Sequence, residues 1–289
     1  MRELEFARRF DGVNGSAIRD IFKLLGQPGM ISFAGGNPAW GALDNETISG
    51  IARDVLAGPD GRAILQYGAT DGFAPFRESA AAFLRGDGVK CSAETVLPVQ
   101  GGSQAFDLLL KALINPGDAI LCESPTFLGA IQAMREYNAR LIAMPTDEGG
   151  VIVEEAEKLI AAHHPKMMYI IPSFQNPTGI TLAAERRPQL ARLAEQYGVV
   201  IAEDDPYRDL RYQGEPLPPI QAYDGAGWVV YMSSFSKYVS PGMRLGAAAV
   251  NNPMLLRKMV IGKQSSDVHS PLLNQAIVAM YLEKGLLKP

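Results

Sequence analysis

One lysine stands apart by its company. In "SSFSKYVSPGMRLG" (233–246), Lys237 sits among serines, glycines, a proline and Arg244, directly after the apolar run "WVVYM". A strand gives way there to a loop of small residues, which is where open α/β sheets place their chemistry. Three other stretches could serve such a lysine. In "GGSQ" (101–104), glycines let the backbone approach a ligand and a helix start offers free N–H groups to an anion, although Ser103 could equally be a plain helix cap. "NPTG" (176–179) is by itself a turn, and its alternative is Asn176 as a donor pointing into a cleft. "EDDPYRDL" (203–210) closes an apolar run with acids. A carboxylate there could hold a proton on a ring nitrogen with Tyr207 reaching the same ring, or the stretch is a solvated acidic turn.

The elements that must position these residues follow from the apolar runs. From residue 96 onward, "TVLPVQ", "DAILCE", "RLIAMP", "KMMYIIP", "VVIAED", "WVVYMS" and "LGAAAV" read as strands, most of them separated by helical stretches such as "AFDLLLKALI" and "FLGAIQAMREYN". Strand alternating with helix predicts an α/β fold of three layers (αβα) with a mainly parallel sheet covered on both faces. Residues 1–45, with Gly and Pro clusters around "GSAIRDIFKLLGQ", read as an N-terminal arm belonging to a smaller, incomplete domain. Residues 46–289 read as the large domain.

Composition narrows the function classes. The chain has 289 residues, 47% of them apolar, and a net charge of −4 with no basic stripe, which speaks against nucleic-acid binding. No apolar run approaches the ~18 residues that span a bilayer, and "MRELEFARRF" has no signal-peptide core. With only Cys91 and Cys122, a reducing compartment fits, so the expectation is a soluble cytoplasmic protein without membrane contact. His163, His164 and His269 have no metal-ligand spacing, and no metal is expected. Nucleophile-elbow, Walker A and dinucleotide-binding patterns are missing too.

Read in succession, "GGSQ", "PTF", "NPTG", "DDPY" and "SFSKxxxPGMR" resemble the fold-type I pyridoxal 5'-phosphate (PLP) aminotransferases of class I/II, and most the branch with 2-aminoadipate and kynurenine aminotransferases. The resemblance implies that Lys237 is the residue to which PLP is joined, that Asp204 pairs with the ring nitrogen, and that Tyr207 and Asn176 bond the phenolic oxygen. It makes Phe127 the ring-stacking aromatic. Gly102, Ser103, Gln104, Ser234, Ser236 and Arg244 would hold the phosphate. Tyr67, in "LQYGATDG", would complete the phosphate site of a neighbouring copy, hence a homodimer with shared sites. Gly36, in "ISFAGGNPAW", and Arg19 would meet the substrate. The implied reaction moves an amino group from an L-amino acid to a 2-oxo acid such as 2-oxoglutarate. A β-lyase, a decarboxylase or a non-catalytic PLP-binding regulator shares the same motifs.

The resemblance also implies a carboxylate-gripping arginine in a C-terminal small domain. After Arg244 the sequence has only Arg257, just past a strand and turn, so the chain is expected to be a fragment lacking most of that domain.

Overall fold

The structure, a computed structural model, describes residues 4–10 and 35–287; Arg19 and the "GSAIRDIFKLLGQ" stretch lie outside the described residues. Strands β1 (Val96–Val99), β2 (Ala119–Glu123), β3 (Arg140–Met144), β6 (Met167–Ile170), β7 (Val200–Asp204), β8 (Val229–Ser234) and β9 (Gly246–Val250) form one sheet in the order β1-β9-β8-β7-β6-β2-β3. Strand β9 runs antiparallel to β1 and β8, and the other pairs are parallel. A separate small hairpin joins β4 (Thr146–Asp147) to β5 (Gly150–Val151).

Because side chains alternate across a strand, each strand sends one set of residues to each face, and both sets are apolar. One face gathers Leu97, Val99, Ile120, Cys122, Met167, Tyr169, Val200, Ala202, Val230, Met232, Ala248 and Val250. It is covered by helices 102–113, 128–136 and 253–266, here α4 (Gly102–Leu113), α5 (Leu128–Glu136) and α8 (Pro253–Ser266). The opposite face gathers Leu121, Met168, Ile170, Ile201 and Val229 under α6 (Val153–His163) and α7 (Arg186–Tyr197). Further along, Val96, Tyr231, Ala247 and Ala249 lie under α1 (Asn45–Ala57), α3 (Ala74–Gly86) and α9 (Leu272–Glu283). The short α2 (Gly61–Ile64) links α1 to the loop before α3. The result is the three-layer α/β arrangement the apolar runs predict. Each large side chain buried in these layers contributes about 1.5–3 kcal/mol.

The sheet's carboxyl edge converges on one glycine. Gly246 pairs with Val99 on one side and Ser234 on the other. A Cβ there would lie 2.6 Å from the Ser233 carbonyl oxygen and 3.1 Å from the Gly101 Cα. Only glycine lets the loop after β1 and the end of β8 approach this closely.

Candidate active site

At that edge the structure opens a cleft of about 230 Å³, lined by Gly102, Ser103, Phe127, Ile171, Asn176, Asp204, Pro206, Tyr207, Ser234, Ser236, Lys237, Pro241 and Arg244. A larger groove of about 430 Å³ beside α8 holds Asp71, Arg77, Glu94 and Arg257 among apolar residues but no lysine and no glycine loop. Chemistry rather than volume singles out the first.

Strand parity decides which acid of "EDD" faces the cleft. Val200 and Ala202 point toward α4, so Asp204 does too, while Ile201, Glu203 and Asp205 point to the other side. Asp204 accepts a hydrogen bond from the Tyr169 hydroxyl at 2.6 Å, and burial pushes its carboxyl up to about 6. Tyr169 is itself wedged against Phe106 of α4, ring centroids 4.7 Å apart. Asp205, fully buried, faces Arg208 at 3.5 Å and the Tyr231 hydroxyl at 3.4 Å. The turn therefore alternates by threes: Asp204 and Tyr207 line the cleft, Asp205 and Arg208 anchor it from behind. Arg208 also donates to the carbonyls of Asp87 (3.0 Å) and Leu217 (3.3 Å). Across the cleft, Asn176 Nδ2 donates to the Tyr207 hydroxyl at 3.3 Å.

The lysine loop is built on the same division. Phe235, Tyr238 and Val239 sink into the core; Phe235 stacks edge-on against Phe76 at 5.7 Å. Ser234, Ser236 and Lys237 are left to face the cleft. Lys237 is half-buried, and burial holds its ammonium below the ordinary lysine range. Its Nζ donates to the Gly36 carbonyl. Ser240 accepts from the Gly242 N–H at 3.2 Å and starts a single helical turn that ends at Arg244, whose φ is +46°. That left-handed conformation is uncommon for a non-glycine residue. It carries the guanidinium back over the loop, 3.3 Å from the Gln100 carbonyl and 3.5 Å from Ser236 Oγ. Ser236 Oγ lies 3.0 Å from Ser234 Oγ.

Opposite these groups, Gly101 caps α4 at φ +82°. A Cβ there would meet Arg244 Nη2 at 2.9 Å, and one on Gly102 would lie 3.4 Å from Asp204 Oδ1. The two glycines thus keep open a space bounded by a guanidinium and by a carboxylate, with helical N–H groups directed into it. Phe127 lines the adjoining wall, and Gly129 makes room for it: a Cβ at Gly129 would sit 2.6 Å from the ring. Gln175 ties the two loops together, donating to the Pro125 carbonyl at 2.8 Å and accepting from the Thr178 N–H at 2.9 Å.

Some residues singled out in the sequence sit elsewhere. The Gln104 side chain turns away from the cleft to Lys263 and Asp267, and its N–H is bonded to the Gly101 carbonyl at 3.1 Å. Tyr67 is 81% exposed and stands edge-on to His269, outside the cleft of its own chain. Tyr169, Gly129, Gln175 and Lys263 had no signal as site-builders in the sequence.

Residues 30–288 match the family described as aminotransferase class I and II. An aromatic-amino-acid aminotransferase of Thermococcus litoralis is 39% identical, across 99% of this chain and 69% of its own length. A 2-aminoadipate transaminase of Thermus thermophilus is 38% identical, across 97% of this chain and 70% of its own. A Pyrococcus horikoshii kynurenine aminotransferase, solved in complex with PMP, superposes with a TM-score of 0.90 at 36% identity, covering 98% of this chain and 70% of that one. The alternating strands, the lysine loop and the acid of β7 thus have one source: this chain belongs to the class I and II aminotransferases, enzymes that use pyridoxal 5'-phosphate to move an amino group to a 2-oxo acid.

Proposed function

We propose that the cleft is the site of cofactor and substrate, with Lys237 the residue to which the cofactor's aldehyde is joined. The observation that carries this is the meeting of an amine, a carboxylate and a guanidinium (Lys237, Asp204, Arg244) in one cleft kept open by glycines. The donor set suits the group: charged and neutral donors cluster around Arg244, and a lone carboxylate lies across the space held by Gly102. When bound, the cofactor supplies an electron sink for the charge left at the substrate Cα.

The chain's own residues do the rest. Gly102, Ser103, Ser234 and Ser236 would donate to the phosphate, and Arg244 would add a forked pair of charged bonds. Gln104 would support this cradle indirectly rather than by a side-chain contact. Asp204 would hold a proton on the ring nitrogen, and Tyr169, donating to it, favours its ionised form. Asn176 and Tyr207 would bond the phenolic oxygen, and Phe127 would lie against the ring. Lys237, its pKa lowered by burial, is suited to take a proton from the substrate Cα and return it. Gly36, already beside the lysine, would offer its backbone to the substrate carboxylate, with Arg19 a candidate for its side chain.

Exposed Tyr67 supports a homodimer in which it reaches the neighbouring copy's phosphate. The division near residue 45, between an arm and the large domain, goes with the same reading. Aromatic and acidic amino acids are the donors to try first, with 2-oxoglutarate as acceptor, since the relatives are named for aromatic and aminoadipate substrates. No helix among the described residues is long and apolar enough to cross a membrane, which is compatible with a cytoplasmic enzyme. Borohydride reduction of the cofactor-loaded protein, followed by peptide mapping, should place the label on Lys237. A label on Lys258 or Lys263 would overturn the assignment.

A further inference from the structure

Beneath the glycine loop lies a buried cation that the proposed chemistry does not use. Lys263, in the last turn of α8, is fully buried. Its Nζ donates to Gln104 Oε1 at 2.9 Å, to Asp267 Oδ2 and Oδ1 at 2.8 and 3.1 Å, and to Ser270 Oγ at 3.0 Å. Asp267 also accepts from Gln104 Nε2 at 2.8 Å and from Gln100 Nε2 at 2.6 Å. Gln104 Oε1 also accepts the backbone N–H of Gln100 at 2.8 Å.

The two ends of the Gln104 amide are therefore each specified by a charge. Lys263 takes the oxygen and Asp267 takes the nitrogen, so the amide cannot rotate without facing donor to donor or acceptor to acceptor. That fixed oxygen is what Gln100 N–H binds, and the carbonyl of the same residue accepts from Arg244 Nη2 at 3.3 Å. A continuous hydrogen-bonded path thus runs from a buried ammonium to the guanidinium of the cradle. A buried charge is an expensive means of holding two helices together, since apolar residues of similar size often do so at least as well. Its geometry here serves the loop.

We propose that Lys263 is a positioning residue of the anion cradle: through Gln104 and Gln100 it holds the loop 100–103 and Arg244 in the arrangement that receives the cofactor's phosphate. This rests on the reading of the cleft given above. The test compares pyridoxal 5'-phosphate with pyridoxal, which lacks the phosphate, in titrations of the cofactor-free protein followed by absorbance. Wild type should prefer the phosphorylated form. Lys263→Met should narrow that preference by about tenfold, the worth of roughly one charge-assisted bond, with pyridoxal affinity unchanged. Gln104→Met leaves the ion pair in place and should narrow it likewise; it decides the matter if Lys263→Met fails to fold. Equal weakening of both compounds, or a lower melting temperature with both affinities intact, would mean a purely structural lysine and overturn the proposal. Wild type that binds both compounds alike would instead remove the phosphate reading of the cleft, and this inference with it.

Discussion

Adjacent residues of one strand end, Asp204 and Asp205, sit in two buried polar clusters built on opposite logic. Behind the strand, Asp205 is matched by Arg208, which also bonds backbone carbonyls, and Glu203 accepts the N–H groups of Ile220 and Gln221 at 2.7 and 2.8 Å. Arg187, fully buried, is spent on three carbonyls, those of Leu182, Pro218 and Pro172. On the cleft side, Asp204 has a tyrosine hydroxyl and no cation of its own within the described residues. A buried acid is stabilised by a paired charge or else drifts toward its neutral form. Burial raises the acids on both sides, but those behind the strand have guanidinium groups that oppose the rise. The front acid has none, as expected of a group awaiting a cationic ligand.

Substituting the two aspartates separately should break the comparison most severely. Asp204→Ala should lower transamination by about a hundredfold or more, the usual scale for removing a preorganised electrostatic partner, while the protein stays folded. Asp205→Ala should instead destabilise by about 3 kcal/mol, because it leaves Arg208 buried with less opposing charge. Denaturant melts and initial rates on both variants separate the two outcomes. If Asp205→Ala were the more damaging to rate per folded molecule, the assignment of front and rear would be reversed.

Tyr169 tests how far the front cluster depends on its single internal donor. Tyr169→Phe keeps the contact with Phe106 but removes the bond to Asp204. The carboxyl should then rise further from its ordinary range, and activity should fall about tenfold. The acid limb of the rate profile should move to higher pH. A variant with wild-type rate and an unmoved limb would show that Tyr169 is only a packing residue.

What the sequence made legible, and what it hid, follows the same front and rear division. The seven strands could be read from their apolar runs, whereas only the resemblance set Asp204 apart from Asp205. Lys237 stood out because it lies in a loop of small residues just after an apolar run, and it lines the cleft. Gln104 was assigned to the phosphate, and the structure turns it downward instead. A glutamine in the first turn of a helix can reach either way, and the deciding charges, Lys263 and Asp267, lie about 160 residues further along the chain, as the bonds they make to it record. Lys263 in "GKQSSD" reads as an ordinary surface lysine, since nothing local announces that the turn is buried. Contacts between distant segments are what a single sequence conceals.

The smallest expected effect gives the sharpest contrast, because its size differs between neighbours that burial raises alike. In the cofactor-free protein Asp204 has a pKa of about 6 against an ordinary 3.8, with burial the main cause. Between those values the folded state binds more protons than the unfolded one, so stability falls as pH rises from about 4 to about 6 and stays lower above it. Asp87, Glu123 and Glu203 are also raised by burial, to about 6, 7 and 7, and Asp205 is raised as well; all add to the decline. The informative quantity is therefore the difference between proteins at one pH. Asp204→Asn keeps an oxygen for Tyr169 and removes the charge, so at pH 7 its melting temperature without cofactor should exceed wild type by about 2–4 °C. Near pH 4, where wild-type Asp204 is largely protonated, the gap should close. Asp205→Asn should gain less than Asp204→Asn at pH 7. Burial raises the Asp205 carboxyl too, but the Arg208 guanidinium opposes that rise and loses its partner in the variant. Melts of all three proteins without cofactor at pH 4 and 7 decide it. Two variants shifted by the same amount would mean that Arg208 does nothing for Asp205 and that the front cluster has no special vacancy for a cation.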